Sequence, residues 1–340
     1  MIQIQENKYN LLTERVEWVD IAKGLAMIFV IVVHCGAHLP LTTILSSFHM
    51  PLFFIIAGFF LFSKKQIFKP FVKSKFKTLL IPYLIFGFLL ATYSTCADIV
   101  AHRDITPGFR HIGLLTNTRS APFFGSLWFL ISLFTCEIIL YFLNRKTKNG
   151  ALAITGCILA FCVGGGWLSY SKKGLPLCFD LTLLCMIFCQ IGYYIYPYIY
   201  SLKKPIYIID LLFVFSISVI WNYNVMGNSV DLFSNRIGNS FLFFCSALSG
   251  SLLVILISMQ IGHSSILKYI GKNSLLYYCL QFLLLMAVTK SLSLISLKVP
   301  FIKHTIPYVS SIIIIAILVP IINYINKKHQ WIIGRKSNKI

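Results

Sequence analysis

The sequence predicts an all-α membrane protein: a polytopic bundle of about ten transmembrane helices, one domain over 1–340, with both termini in the cytoplasm. Three observations carry that expectation. First, 57% of the 340 residues are hydrophobic and only 12% are Asp, Glu, Lys or Arg, about half the charge of a typical soluble domain; the mean hydropathy is +0.80. Second, the apolar residues fall in runs of about 20, the length a helix needs to cross hydrocarbon, and they do not alternate as the strands of a β-barrel would. Third, Lys and Arg gather in the breaks between runs, where cations anchor helix ends and set orientation.

The first run, 19–39, opens DIAKGLAMIFVIVVH from Asp20 to His34. Residues 1–18 are polar and the run is too long for a signal-peptide core, so it is expected to stay in the membrane. The second, 46–63, begins SSFHMPLFFIIAGFF and enters from the opposite side. A loop with six lysines, KKQIFKPFVKSKFKTLLIPY, leads into the third span, 78–97. A polar outer loop, 98–122, carries His102, Arg103, Asp104, Arg110, His111 and Arg119 and is expected, like 222–236, as an acceptor contact. Then come 123–143 with Glu137, 150–167, 177–197 with Gln190, and 206–222. The segment 222–236, NYNVMGNSVDLFSNR, has the amides and aromatics that suit a sugar. Arg236 and Asn239 open span 237–258, Asn273 and Gln281 mark 273–296, and 305–325 closes the series. With the N-terminus inside, twenty-one of the 30 cations fall on the inner side, including Lys8, Arg15, Lys203, Lys204 and those after 326. An even number of spans then returns the C-terminus to the same side.

The net charge of +20 does not point to nucleic acid, because no soluble basic domain exists to hold a polynucleotide. Most of the ten cysteines lie inside apolar runs, where Cys acts as a small hydrophobe. No CxxC spacing occurs, so neither a disulfide framework nor a zinc cluster is expected. His34 and His38 form an HxxxH pair expected on one helix face, but zinc needs at least a third ligand and none is close in sequence. No metal site is expected.

Polar groups inside lipid are costly and mark function. Asp20, Lys23, Met27 and His34 recur close to one helical face. Asp20 and Lys23 read equally as an ion-paired anchor at the inner interface, since lysine reaches interfacial water from there. His34 lies 14 residues beyond Asp20, about 21 Å along the axis, and His49 starts the second span from the outer side. The two imidazoles are therefore expected at similar depth, with hydrogen-bonded packing as the bland alternative. Glu137 needs a cation, for which Lys23 is one candidate. The lysine cluster suits either anionic lipid or a phosphate-rich ligand in the cytosol.

Three stretches together resemble the acyltransferase 3 family of integral-membrane acyltransferases, which includes sugar O-acetyltransferases. DIAKGLAMIFVIVVH is similar to that family's aspartate, arginine-glycine-leucine-alanine and histidine, with Lys23 at the arginine position and His34 at the histidine. FHMPLFFIIAGFFLF is similar to its second span, with Ala57 at the usual serine. KFKTLLIPYLIFG is similar to its basic approach to a proline-tyrosine, the paired arginines falling on Lys75 and Thr78. SLWFLISLF and GKNSLLYYCLQFLLL have family-like form, with Gln281 where a histidine is usual. Lysine keeps the charge of arginine but not its bidentate geometry.

The resemblance implies transfer of an acyl group, commonly acetyl, from cytosolic acyl-CoA to a hydroxyl of a cell-envelope glycan or lipid-linked sugar. It implies a place in a bacterial inner membrane, in contact with its lipid, with acetyl-CoA or another acyl-CoA as co-substrate and no permanently bound cofactor. His34 is expected as general base, since a sugar hydroxyl is a poor nucleophile and imidazole is suited to take its proton, or as acyl carrier in a covalent route. His49 would orient His34 or the acceptor, with Asp20 in the same catalytic group. Lys73, Lys75 and Lys77 would hold the CoA phosphates and Lys23 would steady the donor, with Glu137, Arg236, Asn273 and Gln281 in support. The donor then sits inside while His34 lies toward the outside, so either the pantetheine arm threads inward or the acyl group is relayed. The rival class is a transporter or flippase for a lipid-linked or anionic solute, to which buried polar groups and cationic mouths are also suited; an inactive member serving as a binding or sensing module is a third. A homo-oligomer is compatible with any of them.

Overall fold

In lipid every backbone N–H and C=O must be satisfied within its own segment, so long runs of Leu, Ile, Val and Phe form helices. The computed structural model describes residues 16–61, 67–102, 109–116, 127–146, 150–168, 174–202, 205–296 and 304–335. Among these, nine helices are long and apolar enough to cross a membrane, beginning with Leu39–Phe59 and ending with Ile306–Lys328. The first helix, α1 (Glu17–His34), is not among these nine, because it carries Glu17, Asp20 and Lys23 within its 18 residues; much of it is buried in the bundle. The described residues contain no strand beyond a single bridge between Asp231 and Arg236. The protein is an all-α polytopic bundle. Of the cations invoked for orientation, Lys8, Arg15, Lys64, Lys65, Lys148, Lys203, Lys204, Lys336 and Lys339 lie outside the described residues, as do Arg103, Asp104 and Arg119.

Two departures from the expected spans shape the centre. The second span starts earlier, at α2 (Leu39–Ser46), and breaks at Ser47 and Phe48 before α3 (His49–Phe59). The third span also starts earlier, as α4 (Phe68–Lys75), and passes through a π-turn at Phe76–Leu80 into α5 (Ile81–Val100). The HxxxH expectation fails here. α1 ends at His34, Gly36 turns the chain at φ +85°, and His38 caps α2 instead of continuing α1. The two histidines share no helix face because a glycine free to adopt positive φ reverses the chain between them.

After the short α6 (Phe109–Thr116) come α7 (Trp128–Lys146), α8 (Gly150–Cys162), α9 (Phe179–Ile195), α10 (Pro205–Met226) and α11 (Ser240–Ile261). A short α12 (Ser265–Lys272) then packs beside α1, and α13 (Ser274–Ser296) and α14 (Ile306–Lys328) complete the bundle. α1 sits at its centre, against α3, α11, α12, α13 and α14.

Glycines set the closest crossings. A Cβ on Gly58 would fall 2.0 Å from the Cys189 carbonyl oxygen, and one on Gly192 would fall 2.0 Å from that of Ile55. α3 and α9 therefore meet backbone to backbone, the arrangement small residues permit in membranes. α1 and α12 do the same: a Cβ on Gly271 would sit 1.7 Å from the Asp20 carbonyl and one on Gly24 2.2 Å from that of Leu267. Buried amides pair elsewhere, with Gln190 and Asn144 exchanging hydrogen bonds of 2.7 and 2.8 Å.

Candidate active site

Two cavities lie end to end along one seam of the bundle. The larger, about 450 Å³, is lined by Val33, His34, Ser46, His49, Trp128, Phe282 and the loop 228–236. The smaller, about 270 Å³, is lined by Lys23, Met27, Phe53, Phe60, Lys75, Thr78, Phe129, Glu137 and Ser274, among others. Met50 and Tyr278 line both. α1, the α2–α3 span, α7 and α13 each contribute to both cavities, so four elements carry one track from Lys23 to His34.

The histidine cavity brings His34 and His49 together. His34 Nδ1 lies 3.4 Å from Gln281 Oε1, and the His34 ring packs on Phe282 with centroids 4.8 Å apart. The Gln281 amide is itself oriented, because its Nε2 donates to the Tyr278 carbonyl at 3.2 Å. Its Oε1 therefore faces the imidazole and can only accept, which assigns the proton to His34 Nδ1 and leaves Nε2 with a lone pair. His49 is fixed in the same sense: its Nδ1 lies 2.7 Å from the Leu45 carbonyl, an acceptor that requires Nδ1–H. Both rings thus keep Nε2 as a base.

The wall opposite is the loop 228–236, expected from its composition as an acceptor contact. Asp231 and Arg236 exchange backbone hydrogen bonds of 2.9 Å and pair through their side chains at 3.2 Å. Asn235 adopts φ +53°, which asparagine tolerates, and its Nδ2 donates to the Gly164 carbonyl at 2.8 Å. Asn222 holds the exit, donating to the Ile237 carbonyl and accepting from the Asn239 N–H, each at 2.9 Å. Asn239 in turn caps α11 by accepting from Phe241 and Leu242.

The lysine cavity contains the buried carboxylate. Glu137 is 2% exposed and its cation is Lys75, Nζ to Oε1 2.6 Å. Lys23, the candidate from sequence, instead stands with its Nζ 5.7 Å from the Phe60 ring centroid, near enough for cation–π attraction. Among the described residues Glu137 Oε2 has no hydrogen-bond partner. Lys75 and Thr78 reach the cavity; Lys73 and Lys77 are exposed and do not line it. Helical geometry explains the split, since residues two apart point about 200° apart while those three apart share a face. The π-turn presents Lys75 and Thr78 to the inside, and such turns recur at functional sites.

Asp20 is 4% exposed and lines neither cavity; its carbonyl lies at the crossing with Gly271. Asn273 also lies off the track, accepting from Asn326 at 2.8 Å and donating to the Tyr269 carbonyl. Sequence reasoning missed Met50, Trp128 and Tyr278, although each stands inside a stretch that carried the family resemblance. Among the described residues no three His, Cys, Asp or Glu side chains group as a metal site would require.

A family model described as an acyltransferase domain, that of acyltransferase 3, matches residues 16–325. The chain belongs to the acyltransferase 3 family. The match runs from the start of α1 into the last turns of α14 and makes this integral-membrane protein a membrane acyltransferase. No curated protein and no solved structure gives a match. Gln281, where the resemblance places a histidine, lies within hydrogen-bond reach of His34 and of the Tyr278 carbonyl.

Proposed function

We propose that the protein moves an acyl group, acetyl, from cytosolic acyl-CoA to a hydroxyl of a cell-envelope glycan or lipid-linked sugar on the opposite side of the membrane. The observation that carries this reading is the shared wall: Met50 and Tyr278 are all that both cavities have in common. A cationic cavity for the donor and an imidazole cavity for the acceptor adjoin there. The cation count favours the Lys23 end as the cytosolic one.

The donor enters beside Lys23 and Lys75. A buried acceptor without a partner is costly, and an amide N–H of the pantetheine arm would satisfy Glu137 Oε2. Eleven residues of α1 separate Lys23 from His34, about 16 Å, a distance suited to an extended pantetheine arm. The arm therefore carries the thioester past Met50 and Tyr278, resolving the mismatch in depth between the donor and His34. In the histidine cavity an acceptor hydroxyl attacks the thioester carbonyl carbon while His34 Nε2 takes its proton. A C–O bond forms, the C–S bond breaks, and the leaving thiolate takes the proton back from the imidazolium as free CoA. Asp231, Arg236 and Trp128 supply the polar and aromatic surface that a sugar needs.

The test uses the purified protein with radiolabelled acetyl-CoA and isolated envelope glycan. Wild type transfers label and His34→Ala loses at least about a hundredfold in rate, the scale of a general base. Full transfer by His34→Ala removes the histidine from its role. Flux of a solute with no chemical change supports the carrier class instead.

A further inference from the structure

Among the described residues three buried hydroxyls have no hydrogen-bond partner, those of Tyr196, Tyr278 and Ser310. Of these only Tyr278 lines the histidine and lysine cavities, and it lines both. Burying a hydroxyl without a partner is costly, so one kept at the junction of two cavities calls for a reason. The Tyr278 residue is 6% exposed, and its ring meets Phe129 edge-on with centroids 5.7 Å apart. The Phe129 backbone N–H is turned toward the phenol oxygen without closing a hydrogen bond of normal geometry. A backbone N–H can only donate, so the phenol proton is left without an acceptor.

Phe129 is the second residue of α7, in the turn whose N–H groups find no carbonyl within the helix. That turn straddles the junction: Trp128 lines the histidine cavity, while Phe129 and Leu130 line the lysine cavity. The positive end of a 19-residue helix and a phenol with its proton to give thus meet where the cavities share a wall. Both offer a hydrogen to an oxygen, and the oxygen they suit is one that gains negative charge.

We propose that the Tyr278 hydroxyl and the Phe129 N–H form the oxyanion hole of the transfer reaction, receiving the thioester carbonyl oxygen where the acyl group passes between the cavities. This rests on the donor reading above and adds the groups that stabilise its transition state. As the acceptor hydroxyl attacks the carbonyl carbon, the C=O π pair moves onto oxygen, and Tyr278 and Phe129 hold that charge. The pair then returns, the C–S bond breaks, and the thiolate leaves with the proton from His34. Donors set in advance at the developing charge need no reorganisation when it appears. The same turn of α13 aims the base, since the Tyr278 carbonyl accepts from Gln281, whose oxygen faces His34. Base and oxyanion donor are therefore fixed relative to each other.

The test is Tyr278→Phe, which removes the hydroxyl and keeps the ring, in nanodiscs with acetyl-CoA and envelope glycan. The expected kcat falls about a hundredfold, the scale of one lost oxyanion donor. The acetyl-CoA Kd and the pH dependence of kcat/KM stay as in wild type, because neither the donor site nor the base is touched. Tm does not fall, since the hydroxyl that is lost had no partner to lose. A wild-type kcat in Tyr278→Phe overturns the oxyanion hole and leaves the donor reading standing. A lower Tm or a weaker donor Kd that accounts for the lost rate also overturns it, giving the hydroxyl to the fold or to ground-state binding. A wild type that neither binds nor uses acetyl-CoA overturns the donor reading and the oxyanion hole with it.

Discussion

The orientation of one amide decides what His34 can do. Gln281 donates to the Tyr278 carbonyl and so presents its oxygen to His34, which keeps the proton on Nδ1 and the base at Nε2. Gln281→Leu removes that acceptor, and kcat is expected to fall by at least about tenfold, as when an orienting partner of a catalytic imidazole is lost. The KM for donor should stay near wild type, and Gln281→Glu, which restores an acceptor, should recover part of kcat. Steady-state kinetics on the two variants reads this directly; equal losses in both, or a loss confined to KM, contradicts the assignment. His34 and His49 stood out in sequence as candidate site residues because ionisable groups in lipid are rare, and Lys75 stood out through the lysine cluster and the family resemblance. The partner of Glu137 was not, since Lys75 stands 62 residues away and only the packing of the π-turn on α7 brings the two to 2.6 Å. Lys73 and Lys77 could have been separated from Lys75 by helical phase alone.

The elements themselves were read well from hydropathy, because twenty apolar residues in lipid have few alternatives to a helix. What hydropathy could not convey is where helices touch. Gly58 and Gly192 appear in sequence as breaks in propensity, yet each allows a backbone carbonyl to approach where a side chain would stand. Gly58→Val is expected to destabilise the protein by about 1–3 kcal/mol, the cost of overpacking a tight contact, seen as a lower Tm in detergent. Gly166→Ala, where an added Cβ meets nothing within 4 Å, serves as the control and should leave Tm unchanged. An equal Tm for Gly58→Val and wild type would mean that α3 and α9 do not cross at these glycines. The break at Ser47–Phe48 likewise left no mark in the hydropathy, though it lets α2 bring Ser46 and α3 bring His49 to the same cavity.

At the scale of the molecule, four elements each line both a cationic cavity and an imidazole cavity, and the two adjoin at Met50 and Tyr278. Sequence could supply the two ends of this arrangement and the problem of joining them, but not the junction, because a methionine and a tyrosine in apolar runs look like ordinary core. The account stands on that junction being a passage for the acyl donor. Met50→Trp places a larger side chain there while Lys23, Lys75 and His34 themselves stay unchanged. The decisive measurement compares acetyl-CoA binding with acetyl transfer to glycan in this variant and in wild type. The account predicts a donor Kd within a few-fold of wild type and transfer reduced by at least about tenfold, as steric misplacement at a reacting centre requires. Transfer at the wild-type rate with the passage filled would contradict it.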